Sequence, residues 1–344
     1  YSGDSSTFSI TENSTAIHAF TSNKNVTWSL SGGADQDLFN IDSDTGALTF
    51  RAAPDFENPT DSDNNNSYIV TVRATDLADN TSDQTVTTNV LYNWAQIGDN
   101  INGEAADDFS GSSVSLSADG SVVAIGAFGN DGNGQRSGHV RIFFNDNGSW
   151  TQIGEDINGE ASGDRSGEGE SVRLSADGSV VAIGASFNGD NGNSNGHVRL
   201  YKNDNVNNTW TQIGEDINGE ATLDYSGRHI SLSADGSVVA IGAFGNDGNG
   251  ERSGHVRIYK NIDNAWTQVG TDIDGEAAFD TSGSSVSLSA DGSIVAIGAS
   301  GNDGNGDSSG HVRIYKNINN TWTQVGTDID GEGFDDLSGA SVSL

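Results

Sequence analysis

The sequence predicts an all-β protein in which a β-sandwich precedes the four-stranded blades of a partial β-propeller, four of them complete and a fifth begun. Three observations predict it. Trp94, Trp150, Trp210, Trp266 and Trp322 lie 56, 60, 56 and 56 residues apart and head similar stretches, a period in the range of propeller and solenoid units. Each unit holds four stretches of strand character, the number that makes one blade. The first 92 residues carry no copy of the repeat and read as short alternating strands. The expected domains are 1–92 and 93–344, with blades near 94–149, 150–209, 210–265 and 266–321 and a partial one at 322–344.

In the first segment the expected strands are Phe8–Ile10, Asn25–Leu30, Ala47–Phe50, Tyr68–Arg73 and Thr85–Leu91, separated by turns rich in Asp, Asn, Gly and Ser. Glu12-Asn13, Phe39-Asn40-Ile41-Asp42 with Thr45-Gly46-Ala47-Leu48, Asp55-Phe56-Glu57, and Tyr68 to Asp76 resemble a cadherin repeat in order and spacing. The resemblance implies a Greek-key sandwich with calcium sites at its ends. Glu12, Asp55 and Glu57 match the ligands facing the following domain, and Asp76 matches the one facing the preceding domain. Ca2+ requires about six to eight convergent oxygens. Here Thr88 to Asn93 replaces the acidic linker of that family, and Ser22 and Asn23 replace its paired aspartates. A solvated acidic loop is therefore the competing reading.

The repeat is clearest in its third copy. Its strands are Trp210–Gly214, Ile230–Ser233, Val238–Ala243 and His255–Lys260. Ser-Ala-Asp-Gly at Ser233 to Gly236 predicts a tight hairpin, because Asp-Gly supplies the positive φ such a turn needs. Alternation sends Val256 and Ile258 to one face and His255, Arg257 and Tyr259 to the other. Val-Val-Ala-Ile-Gly-Ala is apolar on both faces and belongs deep in the stack, with the tryptophans as anchors between neighbouring blades. Ser-Gly-x-x-Val/Ile-x-Leu at 110–116, 226–232, 282–288 and 338–344, Gly-Ala at 126–127, 184–185, 242–243 and 298–299, and Gly-His-Val-Arg-Ile/Leu-Phe/Tyr resemble the FG-GAP repeat of integrin-α-type propellers. In this chain Ser stands where that family has Phe, and its calcium loop is shortened to the Asp-Gly hairpin.

A second pattern follows each Trp strand. The copies are Asp156, Asn158, Glu160, Asp164; Asp216, Asn218, Glu220, Asp224; Asp272, Asp274, Glu276, Asp280; and Asp328, Asp330, Glu332, Asp336, with a softer first copy of Asn100, Asn102, Glu104, Asp108. Oxygens at relative positions 1, 3, 5 and 9 follow the logic of a calcium loop, where alternate residues point inward. The competing reading is an acidic connecting loop copied along with the unit. A second loop, Asn-Asp-Gly-Asn-Gly at Asn130, Asn246 and Asn302 with a variant at 188–193, reads as a turn. His139, His197, His255 and His311 recur once per unit, which suits a structural role better than catalysis, where unlike groups must converge.

Composition narrows function. Fifteen Lys and Arg against 49 Asp and Glu leave a net charge of -34, which repels phosphate backbones and anionic membranes. Nucleic acid and membrane insertion are excluded as expectations. With no cysteine there are no disulfides or thiolate metal sites; calcium is the expected stabilising ion, and the alternative is that a large β-domain needs no staple. Since the last unit stops partway, the expectation is an open arc belonging to a longer protein. The function expected is that of an extracellular or cell-surface adhesion protein, non-catalytic, binding protein or glycan partners. The alternatives are an accessory propeller of a secreted phospholipase- or glycosidase-type hydrolase, and a spacer without a specific ligand.

Overall fold

Residues 5–93, 96–189, 193–204 and 206–344 are described by the structure, a computed structural model. Trp94 and the centre of the 188–193 loop fall outside them. The chain divides into two compact units, 1–96 and 97–344.

Alternating side chains build the first unit into two sheets. Its strands are β1 (Ser6–Thr11), β2 (Ala16–Ala19), β3 (Val26–Gly32), β4 (Phe39–Ile41), β5 (Ala47–Phe50), β6 (Ser67–Asp76) and β7 (Thr81–Leu91). One sheet runs β1-β7-β6-β3, with β1 parallel to β7, and the other runs β2-β5-β4. Tyr68, Val70, Val72 and Ala74 of β6 point inward at every second position and meet Phe20, Trp28, Phe39, Leu48 and Phe50 in a shared core. Each of the larger of these buried side chains contributes roughly 1.5–3 kcal/mol by leaving water. The sequence reading lacks β2 and β4, which are four and three residues long, and β2 is mostly exposed, whereas the equally short β5 alternates half-buried and buried positions.

The second unit is a row of four five-stranded sheets. The first contains β8 (Ser110–Leu116), β9 (Val122–Ala127), β10 (His139–Asp146), β11 (Ser149–Gln152) and β12 (Ile157–Asn158). The second contains β13 (Val172–Leu174), β14 (Val180–Ala185), β15 (His197–Asp204), β16 (Thr209–Gln212) and β17 (Ile217–Asn218). The third contains β18 (His229–Leu232), β19 (Val238–Ala243), β20 (His255–Ile262), β21 (Ala265–Gln268) and β22 (Ile273–Asp274). The fourth contains β23 (Ser285–Leu288), β24 (Ile294–Ala299), β25 (His311–Ile318), β26 (Thr321–Gln324) and β27 (Ile329–Asp330). All pairings within these sheets are antiparallel.

The sheets are phased differently from the sequence repeat. Each Trp strand closes the sheet of the preceding unit instead of opening its own: β11, which carries Trp150, pairs with β10, and β26, which carries Trp322, pairs with β25. The cause lies in turn chemistry. Asn147 and Gly148 take φ of 51° and 89°, the left-handed pair that a two-residue hairpin demands, so the chain folds straight back onto β10. The long acidic loop makes the crossing to the next sheet. The expected boundaries therefore shift, and the start of the fifth unit lies beyond β27. There Leu344 N–H donates to Ser287 Oγ at 3.0 Å, as Leu288 N–H does to Ser231 Oγ at 2.9 Å.

Successive sheets stack face to face, as blades do. Val122, Ala124, Val140 and Ile142 of the first pack against Val172, Leu174, Val181 and Ile183 of the second, and the later interfaces repeat this set. Between neighbouring sheets, serine hydroxyls satisfy amides of the edge strand. Ser113 and Ser115 Oγ accept Val172 and Leu174 N–H at 3.1 and 2.9 Å. The Ser-Ala-Asp-Gly turns form a ladder, with Ala118, Ala176 and Ala234 N–H donating to Ala176, Ala234 and Ala290 carbonyls at 2.8 Å each. The indole N–H groups of Trp210, Trp266 and Trp322 reach back to the Ile153, Ile213 and Val269 carbonyls at 3.0, 2.8 and 2.9 Å. Among the described residues each neighbouring pair of sheets shares a hydrophobic cluster, and none of these clusters spans the fourth sheet and the first.

Candidate functional site

Two kinds of acidic constellation emerge from this fold. The first lies at one end of the sandwich. Glu12 follows β1 and is buried, and its carboxylate accepts Phe56 N–H at 3.2 Å and Asn93 N–H at 3.0 Å. Asp55 Oδ1 accepts Glu57 N–H at 3.0 Å, and its other oxygen accepts Asn58 Nδ2 at 3.0 Å. Glu12, Asp55 and Glu57 each place a carboxylate oxygen within 4.8 Å of the others. The Asn58 side chain holds Asp55 below the usual carboxylate range. Glu57 is lowered by its own backbone amide, but desolvation and the charges of Asp55 and Glu12 together raise it above its ordinary value. Three crowded carboxylates, one titrating high, form a set that a divalent cation would stabilise.

Asp76 is not part of this cluster. It ends β6, where Asp76 pairs with Val26, whereas Glu12 follows the pairing of Thr11 with Leu91 at the other end of the sheet. The Asn80 side-chain amide donates to both Asp76 oxygens at 3.1 and 3.2 Å, and Oδ1 also accepts Ala78 N–H at 2.9 Å and Asn80 N–H at 3.0 Å, which together lower its pKa and close the turn into β7.

The second kind recurs between the blades, and it departs from the calcium-loop grouping. Asp156 and Glu160 belong to one loop but serve different clusters. Asp156 joins Glu104 and His139, whereas Glu160 joins His197 and Asp216. Glu220, His255 and Asp272 form the third set, and Glu276, His311 and Asp328 the fourth. The strand-forming tendency of Ile157 explains the split: Ile157 and Asn158 pair with Val140 and His139, which fixes Asp156 beside β10 and carries Glu160 onward to the next blade. Asn158, Asn218 and Asp274 contribute backbone instead of side-chain ligands, as their carbonyls accept Arg199, Arg257 and Arg313 Nη2 at 2.7, 2.7 and 2.6 Å. Asp330 lies 4.0 Å from His311 Nδ1, and Glu332 joins none of these groups.

The ninth-position aspartates are clamps. Asp164 Oδ2 accepts Glu160 and Ala161 N–H at 3.1 and 2.8 Å, Asp224 accepts Glu220 and Ala221 at 3.2 and 2.9 Å, and Asp280 accepts Glu276 and Ala277 at 3.0 and 2.9 Å. Asp336 accepts Gly333 N–H at 2.7 Å. Asn133 and Asn249 of the second loop pin the same segment from outside, donating to the Gly159 and Glu160 carbonyls and to those of Gly275 and Glu276 at 2.8 to 2.9 Å.

The histidines are where sequence reasoning falls short. His139, His197, His255 and His311 are at most 1% exposed, and burial lowers the pKa of His139 and His255 against the opposing pull of neighbouring carboxylates. Their recurrence was visible, but their partners sit one loop upstream and one strand downstream, outside any local motif. Beside them the buried Arg141, Arg199, Arg257 and Arg313 lie over the rings of Phe143, Tyr201, Tyr259 and Tyr315 at 5.4, 5.7, 5.6 and 5.6 Å.

Immediately beside the clamps, before Asp224 and Asp280 and after Asp108 and Asp336, the loops expose apolar side chains in left-handed backbone. Phe109 (φ 54°), Leu223 (66°), Phe279 (68°) and Leu337 (52°) are about half exposed, and Phe109 stacks on Phe128 at 4.9 Å. Non-glycine residues held there cost about 1–3 kcal/mol each, a strain that concentrates at functional surfaces.

A family model of the FG-GAP repeat matches residues 102–143, from the first acidic loop through most of β10. A comparison with curated protein sequences gives no match. Among solved structures the chain is similar to the periplasmic gluconolactonase PpgL of Pseudomonas aeruginosa, at 14% identity over 77% of this chain and 65% of that one, with a TM-score of 0.43. It is also similar to TolB from Acinetobacter baumannii, at 15% over 77% and 51% with a TM-score of 0.38, and to mouse cadherin-23 EC22-24, at 24% over 26% and 29% with a TM-score of 0.20. The chain spans less than two thirds of the length of each, and at these TM-scores the likenesses carry no argument. What stands is an FG-GAP repeat carried on propeller-type sheets.

Proposed function

We propose that this chain is a non-catalytic binding protein of the cell surface or extracellular space, in which a cadherin-like sandwich precedes FG-GAP-like blades that present a surface to protein or glycan partners. The exposed row of Phe109, Leu223, Phe279 and Leu337 carries this reading. Four loops, each clamped by an aspartate that is buried in three of them (Asp108, Asp224 and Asp280), hold apolar side chains outward in strained backbone, and the ring faces of Phe109 and Phe279 suit sugars and apolar side chains alike. Calcium is the structural ion proposed for Glu12, Asp55 and Glu57, the residues matched by the cadherin resemblance. The strongly acidic surface favours cations and disfavours nucleic acid. Among the described residues no helix is long and apolar enough to cross a membrane.

The test is a glycan and cell-surface binding screen on the 344-residue chain, repeated with Phe109→Ser and Phe279→Ser together. Binding by the parent chain that falls at least about tenfold in the variant, a loss of roughly 1.4 kcal/mol, supports the reading. Binding unchanged by the substitutions removes the row from the function. Turnover of glycoside or phospholipid substrates by the chain would favour a hydrolase instead.

A further inference from the structure

The blades contain a donor set that fits neither calcium nor an ordinary ion pair. His139 is 1% exposed, and neither of its ring nitrogens has a protein hydrogen-bond partner. Its Nδ1 faces Asp156 Oδ2 at 3.6 Å and Glu104 Oε2 at 3.8 Å, beyond hydrogen-bond length for both. The same arrangement gives 3.6 and 3.6 Å at His197, 3.7 and 4.0 Å at His255, and 3.9 and 3.9 Å at His311. The copies share one ancestral unit, so they count as one observation. The buried imidazole aimed at two carboxylates is the second.

A common cation explains these distances. Zinc binds imidazole nitrogen and carboxylate oxygen at about 2.0–2.2 Å, so donor atoms in a near-tetrahedral shell lie about 3.3–3.7 Å apart. Three of the four separations at His139 and His197 are of that size and the fourth, His139 to Glu104 at 3.8 Å, is slightly longer, and all three donor atoms of each set lie within 4.8 Å of one another. Calcium would ask for about six to eight oxygens, whereas the set provides one nitrogen and two carboxylates. Nε2 of His139, His255 and His311 has no protein partner either, so nothing on that side forces a proton onto Nδ1. Arg141 Nη1, 3.8 Å from Glu104 Oε1, holds the other oxygen of that carboxylate and leaves Oε2 for the cation.

We propose that each of the four blades carries a binding site for a first-row divalent cation of the zinc class, held by His139, Glu104 and Asp156 and by their three counterparts. Such an ion ties three segments together: the loop ahead of one blade, the β10-type strand of that blade, and the loop that leaves it. This site is distinct from the carboxylate cluster of Glu12, Asp55 and Glu57.

Zinc chloride titrated by calorimetry against the 344-residue chain in excess Mg2+, with Co2+ as a spectroscopic substitute, tests the proposal. Saturable uptake, visible Co2+ bands of a nitrogen- and oxygen-ligated ion, and loss of about one equivalent in His139→Gln support it. Glu104→Gln, whose carboxylate is 44% exposed, is the second variant should His139→Gln fail to fold, and at least about a tenfold weakening of one equivalent is expected from it. Unsaturable uptake, stoichiometry unchanged in a folded variant, or displacement of zinc by equimolar calcium overturns it.

Discussion

Replacing Asp280 with alanine separates a loop clamp from a calcium ligand. Asp280 is 2% exposed, and its Oδ2 accepts Glu276 N–H at 3.0 Å and Ala277 N–H at 2.9 Å. A hydrogen bond to a charged group contributes about 1.5–3 kcal/mol net, and two would contribute roughly 3–6 kcal/mol if both donors became unsatisfied. The loop is near water, which can solvate the freed amides in part, so about 2–4 kcal/mol is expected. Native-state hydrogen exchange reads this directly. The Glu276 and Ala277 amides should exchange roughly 30- to 700-fold faster in Asp280→Ala, since about 1.4 kcal/mol corresponds to a factor of ten. The acceleration should be the same in EDTA and in excess Ca2+. A change below about threefold at both amides refutes the clamp. If the parent loop gains protection on adding Ca2+ and the variant loses that gain, Asp280 is a calcium ligand and the reasoning from hydrogen bonds fails.

Three further outcomes follow from the same geometry. Gly275→Ala places a Cβ 2.0 Å from the Ser253 carbonyl oxygen, so the variant should lose about 3 kcal/mol or more in urea unfolding, and a midpoint equal to the parent's would show that the loop can move. Trp266→Phe removes the indole donor 2.8 Å from the Ile213 carbonyl and should cost about 1 kcal/mol plus lost packing, a larger effect than Trp150→Phe, whose bond to Ile97 is exposed; equal effects would refute the burial argument. Asp119 and Asp291 accept from the amides and hydroxyls of their Ser-Ala-Asp-Gly turns and titrate at about 2, down from 3.8. Because the folded value is the lower one, their contribution is complete above 3.8 and is lost as pH falls through about 2, which a carboxyl NMR titration checks; midpoints near 3.8 would sink the claim.

Much of the fold was legible because its determinants are local. The inner hairpin is written in Ser-Ala-Asp-Gly, whose glycines take φ of 67° to 71°, and the alternation along β20 sends Val256 and Ile258 into one cluster and Tyr259 to another. Phase was not legible. A repeat defines a period but no starting point, and only the pairing of β11 with β10 shows that Trp150 ends a blade.

The candidate site divides in the same way. The sequence by itself determined that acids, glycines and histidines recur in register, and that the chain would fold as β-structure with little helix, because strand alternation and turn chemistry act over a few residues. Only the tertiary structure decided which of them meet. Asp156 and Glu160 are four residues apart, yet they face different histidines, because the short pairing of Ile157 and Asn158 with β10 anchors one side of the loop while the chain crosses to the next blade on the other. Partnership across an interface between sheets depends on stacking, and stacking is a property of distant segments that no local spacing encodes.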